Sequence, residues 1–533
     1  MIAAQHLDSL NPQQMRQALM SLLADVAAKD ERLQRQEREA TFKQALIDKL
    51  THEVAVLRRL KYAASSEKFR AGMSAEQKSL LEETLEADLA ELGREIEQLD
   101  LGKQAKDEEQ KQQPRREVLP PDLPRREVRH EPQSTVCGCG CQMKRIGQDV
   151  AEKLDYQPGV FSVERHIRGK WACAKCEKLV QGPVPAHVID KGLPTTGLLA
   201  QVLVAKYMDH LPLYRQEHIF GRAGMTISRS TLADWVGECG ARLQPLVQAL
   251  AEELRRHAVL HADETPVAML KPGQGKTHRA YIWTYCTTSF NDTKAVVFDF
   301  ADSRSGENVR GFLGLNSTGG QGGWKGKLVT DDFSGYKACF DLGVTEAGCM
   351  AHARRKFHEL WVHHGSQVGE QALRLFKRLY DIEREAQAVT AEERRRLRHR
   401  KSRRVAAVLH RWLLLKRQQV PDGSATAKAI DYSLKRWLAL MRFIEDGELP
   451  IDNNWVENQI RPIALGRSNW LFAGSLRAGK RAAAVMSLVH SARMNGHDPY
   501  AYLKDVLERL PTQPDSYIQE LLPHRWQPAA TSA

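Results

Sequence analysis

The chain has 533 residues, 42% of them hydrophobic, a net charge of +12 and nine cysteines. That length implies several domains, no apolar run reaches the roughly 18 residues of a membrane span, and the N-terminus "MIAAQHLDSLNPQQ" lacks the basic start and apolar core of a secretory signal. A cytoplasmic location without membrane contact is therefore expected, the cysteines are too few for a disulfide scaffold, and the excess of Lys and Arg favours a polyanionic partner.

Residues 1–102 read as a helical arm. From about Ser21 to Leu101 the chain is almost free of Gly and Pro and places apolar residues at helical spacing. Ile47, Leu50, Val54, Leu57 and Leu60 recur three and four residues apart, the seam of a short coiled coil that would join protomers into a homo-oligomer. The alternative is an intramolecular hairpin closed near "AASSEKFRAGMSAEQ". Residues 103–134 combine charge runs with five prolines in Lys103 to Gln133 and read as a flexible linker.

Residues 135–190 hold five of the nine cysteines, Cys137, Cys139, Cys141, Cys173 and Cys176. Thiolates from two tight knuckles bind Zn2+ tetrahedrally. "CAKC" is one such pair; the other comes from two of Cys137, Cys139 and Cys141, and spacing leaves open which. "VFSVERHIRGKWAC" alternates well enough to supply a strand of a zinc ribbon. Residues 191–255 are helical, and "YRQEHIFGRAGMTISRSTLADWV" has a helix, a turn at Gly224, a Ser/Thr cap and a second helix, the outline of a DNA-binding helix-turn-helix or of an ordinary helical hairpin.

Between 256 and 475 the texture changes to β-branched and aromatic runs. "HAVLHADETPVAML", "RAYIWTYCTTS" and "KAVVFDFA" precede a helix, a strand in "GKLVTDDFSGYKACF", a second helix, and a strand beginning at "EAGC". That order predicts an α/β domain with a mixed sheet. A helical insertion follows at about 358–445, including the basic run "EERRRLRHRKSRR", which reads as a solvated face or a phosphate-tracking surface. Residues 476–533 read as further helices.

Asp263 follows "VLHA" near the end of the first strand, and Asp331 follows "KLVT" at the end of the fourth. Their carboxylates converge if those strands are neighbours, an arrangement that calls for a cation with oxygen preference, Mg2+ or Mn2+. Two such ions about 4 Å apart activate water and stabilise the leaving oxygen at phosphorus. A third carboxylate completes such a site. Glu457 is the candidate, on a helix capped by Asp452 or Asn453, with Arg461 one turn on as an alternative ion-pair partner. Arg461 and Arg467 suit phosphates, and Trp470 suits an unpaired base.

"HADETPV", "LVTDDFSGY", "CMAHARRKF" and "IDNNWVENQIRPIALGRSNWLFAGS", with the zinc segment ending "RHIRGKWACAKCE", resemble the bacterial transposases of the insertion sequence sixty-six family over nearly the whole chain. The resemblance implies a DDE transposase with an RNase H-like core interrupted by a helical insertion. Asp263, Asp331 and Glu457 would be its metal-binding triad, with Cys349 and His352 close by as a supporting pair. It further implies element-end recognition by the zinc region and helix-turn-helix, an N-terminal zipper, and small accessory proteins. Two departures stand out. Asp332 occupies a position where Gly is more usual, and "CGCGC" replaces a Cys-x-x-Cys pair. The expected activity is nicking of element ends and joining of their 3'-hydroxyls to target DNA. An inert oligomeric DNA-binding regulator and a nuclease that does not join are the rival readings.

Overall fold

The computed structural model describes residues 12–64, 75–100, 119, 121, 123–132, 134–157, 159–183, 186–189, 192–270, 277–316 and 323–528. Among them, no helix is long and apolar enough to cross a membrane. Two compact units result: one contains α1 and the end of α2 from Leu92, the other the rest of the described chain.

Helix α1 (Pro12–Ala64) runs unbroken for 53 residues, opening on a proline whose missing N–H costs nothing in a first turn. Leu50 is buried and Ile47, Val54 and Leu57 are half-buried, whereas residues 29–45 are exposed. These spaced residues are covered within the single chain, in the unit that also holds the end of α2. The side chain of Leu60 and residues 65–74, where the alternative hairpin would turn, lie outside the described residues.

Helix α2 (Ala75–Asp100) contributes its first half to the larger unit. There Arg481, 3% exposed, pairs with Asp88 at 3.0 Å and with Glu91, and Lys206 pairs with Glu83. Ion pairs this deep cost desolvation, so they fix register more than they add stability. Gly237 lets the helices close, since a Cβ there would stand 2.2 Å from the Ala87 carbonyl oxygen.

The ribbon comprises β1 (Arg125–His130), β2 (Lys144–Gln157), β3 (Val160–Ala172) and β4 (Leu179–Gln181), ordered β1-β3-β2 with β4 also beside β3. Strands β2 and β3 form a long antiparallel hairpin, from Lys144↔Ala172 to Gln157↔Val160. The linker expected at 103–134 is corrected at its end. Residues 125–130 are β1, parallel to β3 from Arg125↔Val163 to His130↔Arg168. The reason is pairing supplied from outside: β3 satisfies the β1 backbone, and the Arg125 guanidinium donates to Glu152 at 3.1 Å and to the carbonyls of Pro121 and Leu123.

Three helices follow, α3 (Thr196–Tyr207), α4 (Leu213–Arg222) and α5 (Arg229–Leu254). Gly224, at φ +85°, makes the turn between α4 and α5, and Ser228 caps α5 by accepting the Thr231 amide at 3.2 Å. Leu232, Ala233, Trp235 and Val236 are buried, so the exposed part of α5 in this motif is its first turn.

The five-stranded sheet has β5 (Val259–Leu270), β6 (Thr277–Thr287), β7 (Val296–Ala301), β8 (Lys327–Thr330) and β9 (Thr345–Gly348), ordered β7-β6-β5-β8-β9. Helix α6 (Gly306–Phe312) lies between β7 and β8 in sequence, and α7 (Lys337–Asp341) between β8 and β9. This is the order of strands and helices read from the sequence. The first three strands are antiparallel, and β8 and β9 run parallel to β5.

Helices α8 (Met350–His364), α9 (Gln367–Glu385), α10 (Ala391–Leu397), α11 (Arg403–Gln418), α12 (Ala425–Lys435) and α13 (Trp437–Met441) follow β9. They enclose a second core around Phe357, Phe376, Leu409, Ile430 and Phe443, which meets the sheet at Val259, Val329 and Ala347. The basic run is not a uniform solvated face. Arg394 and Arg398 are 4% and 0% exposed. Arg398 holds Glu383 through two bonds of 2.9 and 2.5 Å and donates to the carbonyls of Phe443, Asp446 and Leu449 at 2.8, 2.6 and 3.0 Å. Arg394 donates to the carbonyls of Ala386, Val389 and Gly447. One residue from each of two successive turns thus pins the loop leading into α14 (Asn454–Trp470), while Arg395, Arg396 and Arg400 stay outside.

Helix α15 (Leu476–Met494) packs on β7, and α16 (Pro499–Arg509) closes the C-terminal side. The hydroxyls of Ser491 and Ser487 accept the amides of Val296 and Phe298, each at 2.9 Å. At the far edge, Arg442 donates to the Glu346 carbonyl of β9.

Candidate functional site

Strands β5 and β8 pair in parallel with His261 opposite Val329. Asp331 directly follows the last residue of β8, and this register continued by two residues brings it level with Asp263. Among the described residues, Asp263, Asp331 and Glu457 do not form a group whose oxygens all lie within 4.8 Å of one another. The Asp263 carboxylate accepts the Glu264 amide at 2.8 Å, and that of Asp331 accepts the Phe333 amide at 2.9 Å. Burial, then the charges of Glu264, Asp331 and Glu457, push Asp263 well above the usual carboxylate range. Three acids close enough to do this repel one another, and a bound cation relieves the repulsion. Asp332 points elsewhere, into an ion pair with Arg436.

Glu457 stands in the first turn of α14. The cap expected from Asp452 or Asn453 takes a different form. Asp452 accepts the Asn454 amide at 3.1 Å, whereas Asn453, 0% exposed, makes no side-chain cap bond and turns inward. Its Nδ2 donates to the Ala262 carbonyl at 3.0 Å, which leaves Oδ1 to accept Nδ1–H from His261 at 2.7 Å. Burial holds His261 down to about 4, so it is the neutral tautomer that makes this bond at neutral pH. The Asn453 amide also donates to Cys349 Sγ at 3.2 Å. Asn453 thereby ties the Glu457 helix to the strand carrying Asp263 and to the start of α8, a role that two adjacent asparagines in a sequence do not reveal.

Arg461 is exposed and forms no ion pair with Glu457 among the described residues. Glu457 instead faces α8, with Oε1 at 3.8 Å from His352 Nδ1 and Oε2 at 3.5 Å from Arg355. Cys349, His352 and Glu457 offer ligand atoms within 4.8 Å of one another. Arg467 donates to the Pro266 carbonyl and, at 3.3 Å, to Thr265 Oγ1. Trp470 is half-buried against the His210 ring, centroids 5.1 Å apart. Both are engaged within the chain.

In the ribbon, Cys137, Cys139, Cys173 and Cys176 bring their sulfurs within 4.8 Å of one another; Cys141 is not in this group. The first knuckle closes through the Gly140 amide on the Cys137 carbonyl at 2.8 Å, with Gly140 at φ +81°. Cys139 Sγ lies 3.7 Å from Cys173 and 3.9 Å from Cys176, against about 3.8 Å between sulfurs at tetrahedral corners 2.3 Å from zinc. The amides of Cys176 and Lys175 hold Cys173 down to about 6, favouring the thiolate that zinc takes. The four-cysteine set fits Zn2+. Metal analysis of the purified chain should give one zinc per protomer, retained in Cys141→Ser and lost in Cys173→Ser; equal retention in both would exclude this ligand set.

The chain matches four family descriptions: "Transposase IS66 family" at residues 191–481, "IS66 C-terminal element" at 487–524, "zinc-finger binding domain of transposase IS66" at 134–177 and "Transposase C of IS166 homeodomain" at 49–128. Similar proteins of Sinorhizobium fredii include the uncharacterized protein y4qI, 36% identical over 95% of this chain and 94% of the relative. The uncharacterized protein y4jD is 35% identical over 77% and 81%, respectively. The four-cysteine set falls in the zinc-finger match, and Asp263, Asp331 and Glu457 fall in the longest. With matches reaching from the arm to the C-terminal helices and a relative aligned over almost its full length, the chain belongs to the Transposase IS66 family.

Proposed function

We propose that the chain is a DDE transposase with an RNase H-like core, which nicks DNA at the ends of an insertion sequence and joins the freed 3'-hydroxyls to target DNA. The observation that supports this reading is the parallel pairing of β5 with β8, whose continued register brings Asp263 level with Asp331, together with the action of the Asp331 and Glu457 charges on the Asp263 carboxylate. The order of the five-strand sheet, with three antiparallel strands and two parallel to the first, supports the RNase H-like assignment.

Asp263, Asp331 and Glu457 would hold two divalent cations, Mg2+ or Mn2+, which would supply water activation and neutralise charge on the scissile phosphate. Hydrolysis forms a water oxygen to phosphorus bond and breaks the bond to the 3'-oxygen, which leaves as a hydroxyl. In joining, that hydroxyl attacks a target phosphodiester in line, and the target's own 3'-oxygen departs. The protein's share is positioning. Asn453 and His261 fix the Glu457 helix against β5, Arg461 meets the DNA backbone, and Arg467 and Trp470 hold the end of α14 that presents it. The first turn of α5 and the zinc ribbon read element ends.

The test is transfer of a labelled element-end duplex into plasmid, with intact and pre-cleaved ends. Joined product from both substrates is the expected result. Cleavage without joining from either would replace the reading with a nuclease, and end binding without any cleavage would replace it with a regulator.

A further inference from the structure

Two buried polar atoms at the third acid have no hydrogen-bond partner among the described residues, Glu457 Oε1 and His352 Nδ1. They stand 3.8 Å apart, too far for a hydrogen bond. Burying an acceptor and a ring nitrogen without partners is costly, and one cation between them would satisfy both. Ligand atoms bound to one ion at about 2.1 Å stand roughly 3.0–3.5 Å apart, a small closure from the observed separation.

Several elements converge to hold this pair. His352 lies in the first turn of α8, just after Cys349, whose sulfur accepts the Asn453 amide at 3.2 Å. The start of α8 is therefore fixed to the start of α14, and Glu457 follows one turn later. Arg355, three residues beyond His352 and on the same helical face, lies 3.5 Å from Glu457 Oε2, so the two carboxylate oxygens have different surroundings. Burial holds the His352 imidazole below its ordinary range, with the charges of Glu457 and Asp331 opposing that shift and those of Arg355 and Lys356 adding to it. The imidazole thus faces both acids and the cations of α8.

We propose that His352 Nδ1 is a further protein ligand of the cation held by Glu457, making this end of the site a mixed nitrogen and oxygen site that favours Mn2+ over Mg2+. The proposal rests on Glu457 being a metal-binding acid. Its chemical reason is donor type: Mg2+ is hard and takes oxygen, whereas imidazole suits softer divalent ions. Cys349 Sγ, already accepting the Asn453 amide, forms the wall of the site.

The test uses the full chain with its ribbon zinc retained. Mn2+ binding is followed by electron paramagnetic resonance, and nitrogen coupling to the bound ion by electron spin echo modulation. Wild type is expected to show nitrogen coupling. His352→Gln and His352→Asn should lose it and bind Mn2+ at least about 10-fold more weakly, since changing even an outer-shell partner of a ligand costs about 10–100-fold, while Mg2+ affinity falls by a smaller factor. Zinc content and circular dichroism equal to wild type identify a folded variant. Nitrogen coupling that persists in both variants, or unchanged Mn2+ affinity, overturns the proposal. Failure of the transposase reading would look different: wild type would yield no joined product whether or not the bound Mn2+ shows nitrogen coupling.

Discussion

Asp263→Asn is expected to abolish strand transfer and, in protein freed of Mg2+ and Mn2+ but retaining zinc, to raise the thermal midpoint. The loss follows from removing a ligand to ions that supply several kcal/mol of transition-state stabilisation, so a drop of at least about a thousandfold corresponds to some 4 kcal/mol. The gain follows from the raised pKa. Burial, Glu264, Asp331 and Glu457 all favour the protonated form of Asp263, so the folded state holds that proton more tightly than the unfolded chain, whose carboxyl titrates near about 3.9. Ionisation therefore subtracts stability as pH rises from about 4 toward the folded pKa. Asn removes that subtraction. The variant should match wild type at pH 4 and exceed it at pH 7 by about 1 kcal/mol, the scale of a relieved functional site. Saturating Mg2+ should close the gap by stabilising wild type. Thermal unfolding at the two pH values, beside transfer assays, decides the matter; an active variant, or one no more stable at pH 7, would sink the assignment. Asp332→Asn, whose carboxylate pairs with Arg436, should keep transfer.

The second large effect is on stability. Arg398→Ala should destabilise the insertion by about 3–5 kcal/mol, because removing one member of a buried pair leaves the other charged and unmatched. Glu383 would lose both its bonds to the guanidinium, and three carbonyls between Phe443 and Leu449 would lose their donor. Arg398→Lys should recover only part, since one ammonium cannot reproduce the planar fork. Arg400→Ala, at an exposed position of the same run, should stay within about 0.5 kcal/mol of wild type. Urea unfolding followed by tryptophan fluorescence measures all three. Equal effects at 398 and 400 would show that the pinning of the loop contributes nothing.

Asp331 directly follows β8, where the apolar run put it, but Asp263 is the fifth residue of the twelve-residue β5 and not near its end, because pairing with β6 carries the strand on through Leu270. The succession of strands and helices along the chain followed from the apolar runs, whereas the order β7-β6-β5-β8-β9 within the sheet did not. Other features depend on partners distant in sequence. Arg398 and Arg400 are indistinguishable in a basic run, and only carbonyls 45 to 51 residues away draw Arg398 inward. Strand β1 has neither alternation nor apolar weight; it forms because β3 offers a backbone ladder. Cys139 and Cys141 have equivalent neighbours in "CGCGC", and the turn at Gly140 separates them. Asn453 resembled a cap because its inward partners, His261 and Ala262, lie 192 and 191 residues earlier.

The serines of α15 bear on how the chain emerges from the ribosome. Val296 and Phe298 are translated 195 and 189 residues before the hydroxyls that accept their amides. At about 5–20 residues per second, strand β7 waits roughly 10–40 seconds with an open margin able to recruit a strand from a neighbouring nascent chain. A product truncated before Leu476 would keep that margin permanently and would aggregate where the complete chain does not. Glu457 is also made late, so on the proposed reading a ribosome-bound intermediate carries the first two acids without the third and would have no assembled site with which to cut DNA.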